Sequence, residues 1–123
     1  MKQIHRLTNA ELRLAELIWK NEPIASMKLV QIAQGEYGWS KSTTFTHLKA
    51  MIEKGLAQNK NSCVTMLASY DEYIADQSCH YVDEAFGGSL PMFVAAFTSN
   101  RKLTNEQIAQ LKRLIDEHDE GGE

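Results

Sequence analysis

A mainly α-helical chain interrupted once by a small β-hairpin is what the sequence predicts, and three observations carry that expectation. Apolar residues recur at helical spacing through most of the 123 residues. Ser/Thr-x-x-Glu/Gln pairs, which close a helix N-terminus reciprocally, stand at the head of three such runs. Only residues 56–67, LAQNKNSCVTML, place β-favouring side chains on either side of a polar tip.

The first helix starts at Thr8, paired with Glu11 as a capping box and flanked by Leu7 and Leu12 as a hydrophobic staple. Ala10, Leu14, Leu17 and Ile18 form its apolar stripe, and Asn21-Glu22-Pro23 stops it. A shorter helix is expected over 26–35, with Met27, Val30 and Ile32/Ala33 inward and Gly35 and Gly38 ending it. Ser40 caps a third helix, whose inward residues are Thr44, Leu48, Met51 and Ile52 and whose end is marked by Gly55. Two short strands follow around Asn59-Lys60-Asn61-Ser62. Three helices and a hairpin in this order are the winged helix-turn-helix arrangement.

From Ser69 the chain becomes acidic and helical. Ser69 and Glu72 form a second capping box, and Ile74, Tyr81, Val82, Ala85 and Phe86 carry a stripe to Gly87-Gly88. Ser89-Leu90-Pro91 restarts a helix that continues as the apolar run MFVAAF. Thr104 and Gln107, with Leu103 and Ile108 as staple, open a last helix through Ile108, Leu111, Leu114 and Ile115, ahead of a disordered-looking DEHDEGGE tail. The expected division is therefore a winged-helix domain over 1–70 and a helical domain over 71–123.

Charge separates the same two halves. Up to Tyr70 there are nine lysines and arginines against five carboxylates, and beyond it four against eleven. The basic half is the one suited to a polyanion. No apolar run approaches the ~20 residues of a membrane span, and the start MKQIHRLTNAE has no signal-type apolar stretch. The expectation is a cytoplasmic protein without membrane insertion. Cys63 and Cys79 lack metal-ligand spacing, and His5, His47, His80 and His118 are scattered without a triad or metal pattern. No Gly-rich phosphate loop occurs, so neither an enzyme nor a cofactor or metal site is expected.

The third helix carries the functional reading. With Thr44, Leu48, Met51 and Ile52 inward, Ser42, Thr46, Lys49 and Glu53 point outward, and Thr43, Phe45, His47 and Ala50 lie on the flanks. A face of hydroxyls and amines suits a DNA major groove: Ser and Thr bond phosphates or base edges, Lys meets phosphate or guanine, and Phe45 reaches a thymine methyl. The DNA-binding set expected is Lys41, Ser42, Thr43, Phe45, Thr46 and Lys49 on this helix, with Lys60 and Asn61 at the hairpin tip. The competing reading is a winged-helix module that binds protein and not DNA. In the acidic half, Phe86, Leu90, Phe93, Val94, Phe97, Ile108, Leu111, Leu114 and Ile115 are more apolar surface than two short helices hide in one small subunit. A second copy is the simplest cover, and C2 symmetry would pair two reading helices with two half-sites.

The runs LTNAELRLAELIWKN, WSKSTTFTHLKAMIEKGL, FGGSLPMFVAAF and KLTNEQIAQLKRLI together resemble the BlaI/MecI family of penicillinase repressors across nearly the whole chain. The resemblance implies a dimeric winged-helix repressor on a dyad-symmetric operator, removed by a regulatory protease. Family cleavage would map near Ala96 and Phe97, where this chain lacks the family's usual asparagine. It also has Ala50 where members usually carry arginine, and a plain wing where theirs is basic.

Overall fold

The computed structural model describes residues 6–121, with side chains through Asp119. His5, the amino-terminal start and the end of the acidic tail lie outside the described residues. The order of elements is α1 (Asn9–Asn21), β1 (Ile24–Ala25), α2 (Ser26–Tyr37), α3 (Lys41–Glu53), β2 (Ala57–Lys60), β3 (Cys63–Met66), α4 (Tyr70–Phe86), α5 (Leu90–Asn100) and α6 (Asn105–Gly121). This is a mainly helical chain with an N-terminal winged helix-turn-helix and a C-terminal helical part. Compact packing divides it between His80 and Tyr81, inside α4.

The first unit is built on α1. Thr8 and Glu11 complete the capping box in both directions, and Leu7 is buried before it. Leu14 and Ile18 of α1, Leu29 of α2, Leu48 and Met51 of α3 and Val64 of β3 are fully buried together. Each such aliphatic side chain removed from water contributes about 1.5 to 3 kcal/mol. The start of α4 closes this core from the other end. Tyr73 is buried and its hydroxyl accepts from the Leu7 amide at 3.0 Å, while Trp19 donates from Nε1 to the Ala68 carbonyl at 2.9 Å.

The sheet is antiparallel with strand order β1-β3-β2, pairing Ile24 with Val64 and Asn59 with Val64 on the other side. β1 is an addition to the expected hairpin: two residues are too short to show alternation. The tip is also tighter than expected. Asn59 and Lys60 belong to β2, and only Asn61 and Ser62 turn, both with positive φ (53° and 62°), as a two-residue type I′ connection requires.

Helix phases depart from expectation in three places. α2 runs through Gly35 and ends at Gly38, whose φ of 70° supplies the left-handed cap. Its buried row is Ser26, Leu29, Val30 and Ala33, which satisfies the same i, i+3, i+4, i+7 spacing from Ser26; Met27 therefore falls outward, 49% exposed. On α3, Ile52 lies outside the core at 38% exposure, because Thr44, Leu48 and Met51 already fill the contact.

In α4, Ser69 and Glu72 make both bonds of their capping box, but Ile74 and Tyr81 of the expected stripe are exposed and Tyr73 takes the inward place. In the second unit, Tyr81, Phe86 and Phe93 form an edge-on cluster with ring centroids 5.7 to 6.2 Å apart. Gly87 and Gly88 turn the chain with positive φ, and Ser89 caps α5 through the Met92 amide. Thr104 and Gln107 cap α6 reciprocally. α6 continues to Gly121, so the first part of the tail expected to be disordered is helical.

Candidate nucleic-acid interface

Residues 38–40 connect α2 to α3. Gly38 closes α2 by donating to the Gln34 carbonyl, and Ser40 opens α3 by accepting from the Thr43 amide at 3.1 Å. Between them Trp39 is half-buried and stacks against Tyr37 and His47, each with ring centroids 5.0 Å away. Arg13 of α1 covers the outer end of this row, 5.7 Å from the Tyr37 centroid. Burial, helped by the Glu16 and Glu36 carboxylates and opposed by Arg13, raises the Tyr37 phenol above its ordinary value. The aromatic row fastens the head of α3 to α2 and α1. Sequence patterning missed it, because no periodicity joins positions 37, 39 and 47.

The other end of α3 is fastened by Lys54. Its Nζ donates to the Glu11 carboxylate and to the Arg6 carbonyl. Burial works to raise the Glu11 pKa, but the Lys54 hydrogen bond, the Thr8 amide and the Lys54 charge outweigh it, and the carboxyl is held below its ordinary value. Lys54 is thus a structural cation, and the ammonium groups left on α3 are Lys41 and Lys49.

With Thr44, Leu48 and Met51 buried, the exposed side of α3 presents Lys41, Ser42, Thr43, Thr46 and Lys49. The first turn carries no acidic residue. Phe45 is half-buried and packs against the core, so only part of its ring is available outside. Two α3 hydroxyls are turned onto their own helix: Thr44 donates to the Ser40 carbonyl at 3.0 Å and Thr46 to the Ser42 carbonyl at 2.9 Å. Lys60 and Asn61 are exposed on the hairpin, which begins at Leu56–Ala57 where the chain leaves α3. Cys63, opposite Lys60 in register, is a free exposed thiol, as is Cys79.

The second unit exposes its apolar residues openly. Leu90, Phe97, Ile108, Leu111, Leu114 and Ile115 are between 37% and 64% exposed, Phe86, Phe93 and Val94 are half-buried, and α5 buries none of its residues. A groove of about 460 Å³ between α5 and α6 is lined by Phe93, Phe97, Leu103, Leu111 and Leu114. Ala96 and Phe97 are exposed on α5, with the Arg101 guanidinium 5.6 Å from the Phe97 ring. Among the described residues no group of His, Cys, Asp and Glu is placed to hold a metal ion, and no helix is long and apolar enough to cross a membrane.

Known proteins match this chain along most of its length. It is 30% identical to the penicillinase repressor of Bacillus licheniformis over 122 residues, which span 96% of this chain and 95% of that repressor. Among solved structures, the activation domain of the phage T4 transcription factor MotA superposes with a TM-score of 0.48 at 14% identity, over 64% of this chain and 80% of that domain. The sequence pattern of penicillinase repressors matches residues 7–117. With its sequence matched over that span, the chain belongs to the penicillinase repressor family, whose members regulate transcription and are not enzymes.

Proposed function

We propose that this transcriptional repressor works as a cytoplasmic homodimer on a dyad-symmetric double-stranded DNA operator, with α3 in the major groove. The observation that carries the reading is the exposed side of α3, which collects Lys41, Ser42, Thr43, Thr46 and Lys49 while the opposite side is buried. Lys and hydroxyl groups reach phosphates and base edges, and without carboxylates in the first turn nothing there repels the backbone. Lys60 and Asn61 on the wing take adjacent phosphates, contributing affinity without sequence preference.

Dimerisation falls to the helical region, 71–123, and DNA binding to 1–70. Support comes from α5 and α6, whose apolar side chains are too exposed for a lone subunit. A second copy covering them would set two α3 helices toward two half-sites. A regulatory protease acting near Ala96 and Phe97 would cut within α5 and so break up that surface.

The test is a set of binding isotherms for the purified chain on its selected operator and on random duplex, at several salt concentrations. Operator affinity should exceed random affinity by at least about 10³, with both falling steeply in salt. Equal, salt-insensitive binding to both duplexes would favour a winged helix that binds protein.

A further inference from the structure

Given that α3 enters the major groove, we propose that Thr46 reads the C5-methyl group of a thymine, through its own methyl and not through its hydroxyl.

Thr46 is exposed in the middle of α3, yet its Oγ1 donates to the Ser42 carbonyl one turn back, at 2.9 Å. That bond satisfies the single donor a threonine has. It also confines the side chain to rotamers that aim Oγ1 at the preceding turn. With Oγ1 held to the helix, Cγ2 is the branch of this exposed side chain left without a backbone partner.

The groups around it define what can be read. Ser42 lies one turn toward the helix start and Lys49 about one turn beyond, on the same exposed face. The apolar spot is therefore bracketed by a hydroxyl and an ammonium. In the major groove only thymine offers a methyl among the four unmodified bases, with its O4 acceptor beside it. Phe45, the other apolar side chain near this face, leans into the core and leaves the contact to Thr46.

The experiment uses the full chain and a duplex it has itself selected from a random pool. Each thymine of that site is replaced singly by 2′-deoxyuridine, which pairs identically and lacks only the methyl. At one thymine position of a half-site the parent should lose about three- to fivefold in affinity, the worth of one buried methyl contact. Thr46→Val keeps the methyl and should keep both the affinity and the sensitivity to deoxyuridine. Thr46→Ser keeps the bond to Ser42, so the helix is undisturbed, but it should bind the thymine operator with about that loss in each of the two half-sites and ignore deoxyuridine there. Weak binding by Thr46→Val with parental binding by Thr46→Ser would make the hydroxyl the reader and overturn the proposal, as would a site at which no thymine responds. Failure to select any duplex would instead remove the DNA-binding reading itself, and this inference with it.

Discussion

Lys54 at the C-terminal cap of α3 donates to the carboxylate of Glu11, the same carboxylate that caps the N-terminus of α1. One buried acid thus joins the start of the first helix to the end of α3. Its two bonds come from different parts of the sequence, 43 residues apart for the pair.

Removing the cation should expose how much Glu11 depends on it. The Glu11 pKa is depressed in the folded chain, so the group stabilises the fold above its unfolded value near 4.5 and loses that contribution as pH falls through the lower folded value. Lys54→Met should cost about 1.5 to 3 kcal/mol near neutrality, since it strands a buried carboxylate. The gap between parent and variant should close in acid, once Glu11 is protonated in both. Urea unfolding across that pH range measures it, and a gap that stays constant would mean Lys54 acts through packing.

Lys49 and Lys60 should fail differently. Lys49→Ala should cost about 1 to 3 kcal/mol per half-site on the operator and narrow its margin over random duplex. Lys60→Ala should weaken both duplexes alike and lower the salt slope by about one for each phosphate that the wing no longer neutralises. Identical salt slopes and margins for the two variants would contradict the division between reader and wing.

Sedimentation should report twice the chain mass at micromolar concentration. Leu114→Glu or Ile115→Glu should return the mass to that of one chain with helix content unchanged, because both side chains are 64% exposed in the single subunit. A dimer that survives both changes would place the contact elsewhere.

Leu48→Ala provides the control for every reading of α3. Leu48 is 2% exposed and should cost about 2 to 5 kcal/mol of folding free energy when truncated, whereas Thr46 and Lys49 variants should melt like the parent.

Local chemistry made most of the architecture legible. The capping pairs Thr8/Glu11, Ser69/Glu72 and Thr104/Gln107 each act at short range, so four adjacent residues contain the whole signal, and all three are formed. The exposed row of α3 was likewise readable, since Ser40 and Gly55 bracket one clear stripe. What patterning could not supply depends on distant partners. Met27 and Leu29 both suit an apolar stripe, and only packing against α1 and α3 chooses Leu29. Strand β1 is two residues long and exists because Val64 offers it a partner. Nothing in its own neighbourhood of the sequence marks Lys54, whose partner Glu11 lies 43 residues away.

The two-residue wing turn also limits how this chain can lengthen or shorten over generations. Lys60 pairs with Cys63 directly across Asn61-Ser62. Strand neighbours alternate sides, so one residue added within β3 between Cys63 and Val64, without a compensating bulge, would carry Val64 from the fully buried face to the outer one. Indels in this hairpin are therefore filtered by place: residues added at the tip widen the loop and leave the register intact, while a single residue added within β3 before Val64 survives only with a bulge.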